Sequence, residues 1–470
     1  MDHAEARDAM RARGQFLSAV LLVALVTMGA VYLQDMVGPR SEVTAATVLA
    51  PSGAWFCPHG GGEGWTTSLQ VANPGTAPVQ IRVTGIGTGK PSPPEELTVA
   101  PGTEVRVPAP AGQRASSTTV EYFGGWVAAG WLTHAGGGQS GVAAEPCLPH
   151  ASGRWLLPDG SAERNQDDYL VVMNPFSAEA VFTVTLFTAK RPAPITPSEW
   201  TNVVLKPHRS QAFRLNPVAL GEATVSALVQ AKVGRVAAST LGLSDPGGVR
   251  SSVGVPGTPP TSSILPGAFD QGATDLVVMD PTERPAALQA TVLGREGPQA
   301  IANLEDSSTN ASSAVTYPVT TEGPSALVVP SPPGVAVARR TSGVASDQGS
   351  TTGAGTPAAA WVVLPAVAGS PSHPGMVLVN PADAPVHVTL SYLPADEGTV
   401  PAPVTLQVPP RSSVAAPKHF LEAKPMSAVL AAASDGTFVP AAASYSLGIR
   451  GVAGYAVSLG VAIPPAWVPR

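Results

Sequence analysis

Two cysteines and a cluster of tryptophans are the residues with the most informative chemistry in this sequence. The chain has only two cysteines, Cys57 and Cys147, and they stand at the two ends of the first of four repeats. An exported compartment allows such a pair to form a disulfide. The alternative is two unpaired buried cysteines. A metal site is not predicted, because no histidines accompany the cysteines at ligand spacing.

Half of the eight tryptophans fall in the same repeat: Trp55, Trp65, Trp126 and Trp131. Trp126 and Trp131 are separated by an odd number of residues, so in one regular strand their side chains would point to opposite faces. An aromatic face left outside the core can contact a sugar ring or a partner protein. We therefore take Trp65, Trp126 and Trp131 as candidate ligand-facing aromatics. The alternative is that they pack in the core beside the disulfide.

Motifs for catalysis are incomplete. The run His59-Gly-Gly-Gly matches an oxyanion loop, but the sequence has no Gly-x-Ser-x-Gly to supply its nucleophile. The glycines of residues 85–89 precede a proline-rich run, which cannot begin the helix that a phosphate loop needs. Asp167 and Asp168 offer oxygens for calcium, although a solvated turn is the simpler interpretation. We predict a non-enzyme with no catalytic residue, cofactor or metal site.

A repeated pattern of strands must position these side chains. A run of apolar residues ending at Asn-Pro or Asp-Pro occurs at Asn73, Asn174, Asp280 and Asn380, which is roughly every hundred residues. Proline lacks the N–H of a ladder and ends each strand. The runs that follow alternate apolar and polar residues, as residues 386–392 do, which is typical of a half-buried strand.

The predicted fold is all-β. Each repeat has six or seven short antiparallel strands with one apolar face, so we expect tandem β-sandwiches. The alternative is a β-propeller with two four-stranded blades per repeat. Four domains are predicted: a disulfide-stapled repeat 1 at 51–150, repeat 2 at 151–260, a divergent repeat 3 at 261–357 and repeat 4 at 358–470. A linker is predicted at 340–358, at the end of repeat 3. We expect such an array to be elongated.

The N-terminal segment predicts a membrane anchor. Residues 14–34 carry no charge, and this length is enough for a helix to cross a bilayer. Arg11 and Arg13 precede the segment, so the positive-inside rule places residues 1–13 in the cytoplasm and the chain after a linker at 35–50 outside. The alternative is a cleaved signal peptide. The net charge of −6 argues against a nucleic-acid partner.

Two resemblances extend this interpretation. Residues 68–107, with a strand ending in Asn-Pro-Gly and a later Pro-Gly turn, resemble bacterial immunoglobulin-like repeats. The whole chain resembles an uncharacterised family of actinobacterial membrane-anchored cell-envelope proteins, which have a short cytoplasmic tail, one span, a Trp-x-Cys-Pro opening and an ectodomain rich in Ala, Val, Pro and Gly. Cys57 and Cys147 match the cysteine pattern of that family. The resemblance implies an envelope location and brings no catalytic residue.

The expected function is that of a non-catalytic, single-pass membrane protein, an extracytoplasmic scaffold or binding protein of the cell envelope. Its expected partner is an envelope protein or a cell-wall polysaccharide, besides the membrane itself. The first alternative is a carbohydrate-binding protein, which predicts exposed aromatic side chains. The second is a cell-wall hydrolase whose carboxylates converge only in three dimensions.

Overall fold

A computed structural model describes Met28 and most of residues 52–468. The described ranges are 52–136, 139–245, 248–267, 273–304, 307–343, 347–367, 372–395, 399–447 and 453–468. The predicted cytoplasmic tail, membrane span and following linker therefore lie outside the described residues, apart from Met28. Among the residues that are described, no helix is long and apolar enough to cross a membrane.

Repeat 1 contains two four-stranded antiparallel sheets. Sheet 1a has the order β1-β6-β3-β4 and sheet 1b the order β5-β2-β7-β8. Alternation explains their faces: Val79, Ile81 and Val83 of one strand are buried, whereas the residues between them are more exposed. The strands are β1 (Gly53–Cys57), β2 (Thr66–Asn73), β3 (Val79–Ile86), β4 (Glu95–Val99), β5 (Thr103–Ala109), β6 (Ser117–Phe123), β7 (Ala128–Ala135) and β8 (Gly141–Pro146).

Repeat 2 follows the same plan with one added edge strand. Sheet 2a has the order β12-β11-β14-β9-β17 and sheet 2b the order β13-β10-β15-β16. A 3₁₀ turn at Ser198–Trp200 and a short helix, α1, at Asn216–Ala219 connect strands. The strands are β9 (Arg154–Leu157), β10 (Tyr169–Asn174), β11 (Ala180–Thr188), β12 (Val203–Leu205), β13 (Arg209–Arg214), β14 (Val225–Val233), β15 (Ala237–Leu243), β16 (Val249–Val253) and β17 (Val255–Pro256).

Repeat 3 has sheet 3a, with the order β18-β25-β21-β22, and sheet 3b, with the order β24-β19-β26-β27. A 3₁₀ turn lies at Ala302–Leu304, and β20 pairs only with β23 among the described strands. The strands are β18 (Ser262–Gly267), β19 (Thr274–Asp280), β20 (Ala287–Leu288), β21 (Thr291–Gly294), β22 (Gly297–Ala300), β23 (Ser307–Ser308), β24 (Ser313–Val319), β25 (Ser325–Pro330), β26 (Ala336–Ser342) and β27 (Gln348–Thr351).

Repeat 4 has sheet 4a, with the order β31-β30-β33-β28-β36, and sheet 4b, with the order β32-β29-β34-β35. A helix, α2, occupies Lys418–Ala423 and a 3₁₀ turn Pro465–Trp467. The strands are β28 (Ala360–Val363), β29 (Ser372–Asn380), β30 (Val386–Leu393), β31 (Val404–Val408), β32 (Ser412–Ala415), β33 (Ala428–Ala433), β34 (Val439–Leu447), β35 (Ala453–Leu459) and β36 (Val461–Ala462). The protein is therefore all-β with almost no helix.

The Asn-Pro pattern marks a buried polar joint in each repeat. The Asn174 amide donates to the carbonyls of Ala178 and Leu205 at 2.8 and 3.0 Å, while its oxygen accepts the N–H of Phe176. Asn73 and Asn380 make equivalent bonds. A carboxylate has no N–H to donate. Asp280 of repeat 3 instead accepts hydrogen bonds from Thr282 and from the Thr309 hydroxyl.

The tryptophan that opens a repeat is fixed by a second recurring bond. Trp55 donates its indole N–H to the carbonyl of Val127 at 2.8 Å, and Trp155 donates to Val236. Trp361 donates to Phe438 at 2.9 Å. All three indoles are buried, so each N–H needs such an acceptor.

The sheets of successive repeats stack face to face. Sheet 1a packs on sheet 2b, where Phe56 meets Phe176 edge-to-face and the Ser117 and Ser210 hydroxyls bond. Sheet 2a packs on 3b around Phe187. Sheet 3a contacts 4b through β18 and β34. Sheet 4a returns to 1b, where Gln70 donates to the Pro365 carbonyl at 3.0 Å. The eight sheets thus contact one another in a closed cycle.

One strand from each "b" sheet lies at the centre of this cycle. These strands are β8, β16, β27 and β35. β8 contacts β16 and β35, and β27 contacts the same two strands, but no ladder of hydrogen bonds joins these four strands into one sheet. The backbones approach closely: a Cβ on Gly141 would lie 2.7 Å from the Val249 nitrogen. Glycine is required where chains come this near. The expectation of an elongated array is therefore wrong, because repeats 1 and 4 contact each other within a single compact unit at residues 51–470.

The segment 340–358, predicted as a linker, contributes to the sheets where it is described. Its first residues end β26, and β27 lies within it, at the centre of the cycle. Ala354 bridges to Ile264, and Ala358 to Phe438. Its Ser, Thr and Gly content reflects small side chains in close-packed central strands.

Candidate functional site

A cleft of about 600 Å³ lies where the ends of three central strands, β8, β16 and β35, meet β1 and the C-terminal 3₁₀ turn. Five aromatic side chains line it, so we call it the tryptophan cleft. Its lining comprises Trp55, Tyr122, Trp126, Pro146, Cys147, Leu148, Pro149, Val253, Trp361, Leu459, Gly460, Val461, Ala462, Pro464 and Trp467. A cavity of this volume is within the range of small-molecule binding sites.

Two indoles form a rigid base for the cleft. Trp55 and Trp361 are buried, and their N–H groups are satisfied by the backbone bonds that recur in the repeats. Trp126 meets Trp55 edge-to-face with ring centroids 6.2 Å apart. Aromatic rings favour this geometry, which fixes their relative orientation. The base is therefore preorganised.

The aromatic side chains at the rim of the cleft are more exposed than those at its base. Trp467, on the 3₁₀ turn Pro465–Trp467, is 45% exposed, the only tryptophan above a tenth among the described residues. Tyr122, at the end of β6, is half-buried. Large exposed aromatics beside a cavity are characteristic of binding surfaces.

The disulfide joins two walls of the cleft. Cys57 at the end of β1 is bonded to Cys147, which follows β8, as the sequence predicted. The residues beside the two cysteines, Phe56 and Leu148, also connect these segments, because they exchange backbone hydrogen bonds of 2.9 and 2.8 Å. The strand carrying Trp55 is therefore covalently tied to the wall formed by Leu148 and Pro149.

The structure separates the three predicted ligand-facing aromatics. Trp126 lines the tryptophan cleft. Trp65 is buried between repeats 1 and 2, and the Arg114 guanidinium lies 4.9 Å from its ring. Trp131 is 1% exposed, and its indole N–H has no partner. The cleft instead adds Trp361 and Trp467, which the repeat-1 cluster did not indicate.

The His59–Gly62 loop has a structural role. Burial lowers the pKa of His59 to about 4, so the ring is neutral near pH 7. Its Nε2 lies 3.0 Å from the Thr118 hydroxyl. A Cβ on Gly61 would lie 2.1 Å from the Ala111 carbonyl oxygen, so only glycine fits there. Nothing in this arrangement presents a nucleophile.

A buried charge network between repeats 2 and 3 is the second cluster of chemically active groups. Arg340 and Arg250 both bond to Asp159, and Arg250 also pairs with Asp168. Burial opposes ionisation, but the arginines outweigh it and hold the pKa of Asp159 at about 2. Asp168 is thus no solvated turn; burial raises its pKa to about 6 although Arg250 opposes the shift.

The charge network and the cleft differ in their chemistry. Asp159 and Asp168 are each paired with arginine, and the lining of the tryptophan cleft contains no carboxylate. Among the described residues, no group of three or more His, Cys, Asp or Glu side chains is placed to hold a metal ion. The cleft offers aromatic faces, proline rings and a few hydrogen-bond donors.

Comparison with known proteins adds a family. No curated protein matches the chain. One family model matches residues 115–416, which is more than half of the chain and includes Trp126, Cys147 and Trp361. This agrees with the expectation of a family of unassigned biochemistry. The chain belongs to the family of unknown function DUF5719.

Proposed function

We propose that this protein is a non-catalytic, membrane-anchored binding protein of the cell envelope, and that its ligand occupies the tryptophan cleft. The observation that carries the proposal is the cleft itself: preorganised indoles at its base, an exposed indole at its rim and no carboxylate, histidine or amine among its lining side chains. An apolar cavity with a few polar groups is the kind of site at which proteins bind ligands.

Two features support the location. Residues 14–34 have the length and composition of a membrane span, with Arg11 and Arg13 on the predicted cytoplasmic side. The Cys57–Cys147 disulfide is typical of an extracytoplasmic compartment. We infer a single-pass protein with residues 1–13 inside and the repeats outside.

For the fold, we infer an arrangement that combines the two alternatives drawn from the sequence. Two sheets pack around one core in repeat 3, as in an immunoglobulin-like sandwich, and the corresponding cores of the other repeats also include residues of neighbouring repeats. The cyclic stacking of eight sheets, two per repeat, is the arrangement of blades in a propeller. The tryptophan cleft lies where three of the four central strands end.

The partner is an envelope protein or a cell-wall polysaccharide. A second candidate function, carbohydrate binding, is favoured by the exposed face of Trp467, because an indole face can stack on a sugar ring. The uncharged lining favours an envelope protein.

Hydrogen exchange on the full chain in lipid nanodiscs tests the proposal, with and without a soluble cell-envelope extract. We expect protection at residues 122–126, 146–149 and 459–467. The Trp467→Ala variant should lose this protection, whereas Leu220→Ala, which truncates an even more exposed side chain outside the cleft, should keep it. Absent protection, or protection confined to other residues, would contradict the proposal.

A further inference from the structure

We propose that the tryptophan cleft binds a proline-rich segment of another envelope protein in the polyproline II conformation. This inference rests on the proposed function and specifies its ligand. The extended, left-handed polyproline II helix has no internal hydrogen bonds and presents its carbonyls outward. Aromatic-lined grooves recognise it by packing its proline rings between their own rings.

Charge is the first argument. None of the residues that line the cleft is acidic, basic or a histidine. A charged ligand would lose water on entering an apolar cleft and gain no counter-charge there. The cleft therefore fits an uncharged segment, and an anionic wall polymer does not match it.

Hydrogen bonding is the second argument. Trp55 and Trp361 have already used their indole N–H groups. Among the described residues, the remaining polar groups of the lining side chains are the unpaired indole N–H groups of Trp126 and Trp467 and the Tyr122 hydroxyl. All three can donate a hydrogen bond. A proline segment matches this set, because each residue offers a carbonyl and no N–H.

A sugar fits the same set poorly. Each hydroxyl both donates and accepts, and a buried donor without an acceptor costs free energy. The lining has no carboxylate or amide side chain to accept those hydrogen bonds. The exposed indole of Trp467 alone would hold the sugar ring by stacking.

The shape of the cleft agrees with a short extended segment. Trp467 stands at the rim, and Trp55, Trp126 and Trp361 lie deeper. The ring at the rim and the rings at the base can contact successive proline rings. Because the polyproline II helix is preformed, its binding costs little conformational entropy.

Fluorescence titration of the full chain in nanodiscs tests the inference, with a ten-residue oligoproline as the probe. A Gly-Ser peptide of equal length, an N-acetylglucosamine oligomer and a soluble fatty acid are the comparison ligands. We expect oligoproline to bind and the other three not to bind in the cleft. Trp467→Ala should weaken binding about tenfold or more, as loss of an aromatic anchor does.

One further variant separates the contribution of the Trp467 ring from that of its N–H, and a second is a control outside the cleft. Trp467→Phe keeps a ring but loses the N–H, so we expect a weakening of roughly threefold, within the range for one neutral hydrogen bond. Leu220→Ala should leave the affinity unchanged. Oligoproline binding that is unaffected by Trp467→Ala would overturn the inference, as would preferential binding of the sugar or the fatty acid in the cleft.

The two proposals fail in different ways. If the envelope extract protects the cleft from hydrogen exchange but oligoproline does not bind, the proline inference is wrong and the proposed function stands. If neither the extract nor oligoproline engages the cleft, both are wrong.

Discussion

The carboxylate of Glu104 accepts a hydrogen bond from the backbone N–H of Ala428 at 2.8 Å, across 324 residues of sequence. Glu104 is buried on β5 of repeat 1, and Ala428 begins β33 of repeat 4. The backbone N–H of Glu104 also donates to the Pro394 carbonyl at 3.2 Å. This joint closes the cycle of sheets at the junction that also forms the tryptophan cleft.

The free energy of unfolding should depend on pH through the titration of Glu104. Burial raises the pKa of Glu104 from 4.5 to about 7, although Arg106 and the Ala428 N–H oppose the shift. Between these values the folded chain retains a proton that the unfolded chain has lost. The free energy of unfolding therefore decreases as pH rises from about 4.5 to about 7.

Glu104→Gln removes this titration while keeping an acceptor for Ala428. Relative to the wild type, the variant should gain at most about 3 kcal/mol of stability across that pH window. Urea unfolding of both proteins at several pH values measures the difference. A difference that does not change with pH would contradict the assignment.

The disulfide should contribute strongly to stability. Closing the loop between Cys57 and Cys147 stabilises the fold by roughly 4 kcal/mol in the chain-entropy model. We expect Cys57→Ser/Cys147→Ser to lower the free energy of unfolding by about 2–5 kcal/mol. Denaturant unfolding with and without reductant measures this, and reductant should not affect the double variant. A loss below about 1 kcal/mol would contradict the prediction.

The buried charge network should be sensitive to the loss of one partner. Arg340→Met leaves Asp159 buried with only Arg250 as its counter-ion, at a cost of about 3–5 kcal/mol. Combining it with Asp159→Asn should restore part of the loss. Lys418→Met breaks the exposed pair with Glu422 and should cost under about 1 kcal/mol. Equal costs for Arg340→Met and Lys418→Met would contradict a buried ionic joint.

The contribution of the Asn-Pro asparagine to stability can be tested by substitution. Asn174→Asp removes the donors that satisfy the Ala178 and Leu205 carbonyls, and we expect a loss of about 1–3 kcal/mol or more. The exposed Asn310 is the control, since Asn310→Asp should change stability little. Thermal unfolding compares the two. In repeat 3, Thr309→Val should cost about as much, because it removes a donor to Asp280.

Local patterns predicted the strands and the disulfide well. The alternation of Val79, Ile81 and Val83 and the Asn-Pro ends depend on neighbours in sequence, and they were visible without a structure. The substitution of Asp280 for asparagine was also visible. Its compensation by Thr309 was not, because the two residues meet only through the folded chain.

The site was less predictable because it depends on how repeats pack. Trp126 was a candidate, but Trp361 and Trp467 lie more than two hundred residues away and reach the cleft only because sheet 4a returns to sheet 1b. The burial of Asp168 depends on a contact between residues far apart in sequence, since its partner Arg250 lies 82 residues later in the same repeat. No periodicity within one repeat reports such contacts.

Fluorine NMR of fluorotryptophan-labelled full chain, titrated with oligoproline, tests the central claim most directly. The eight tryptophans divide evenly: Trp55, Trp126, Trp361 and Trp467 line the cleft, and Trp65, Trp131, Trp155 and Trp200 do not. We predict that the ligand shifts the resonances of the first group, most strongly at Trp126 and Trp467, and leaves Trp155 and Trp200 unchanged. Shifts confined to the second group, or none at all, would contradict the account.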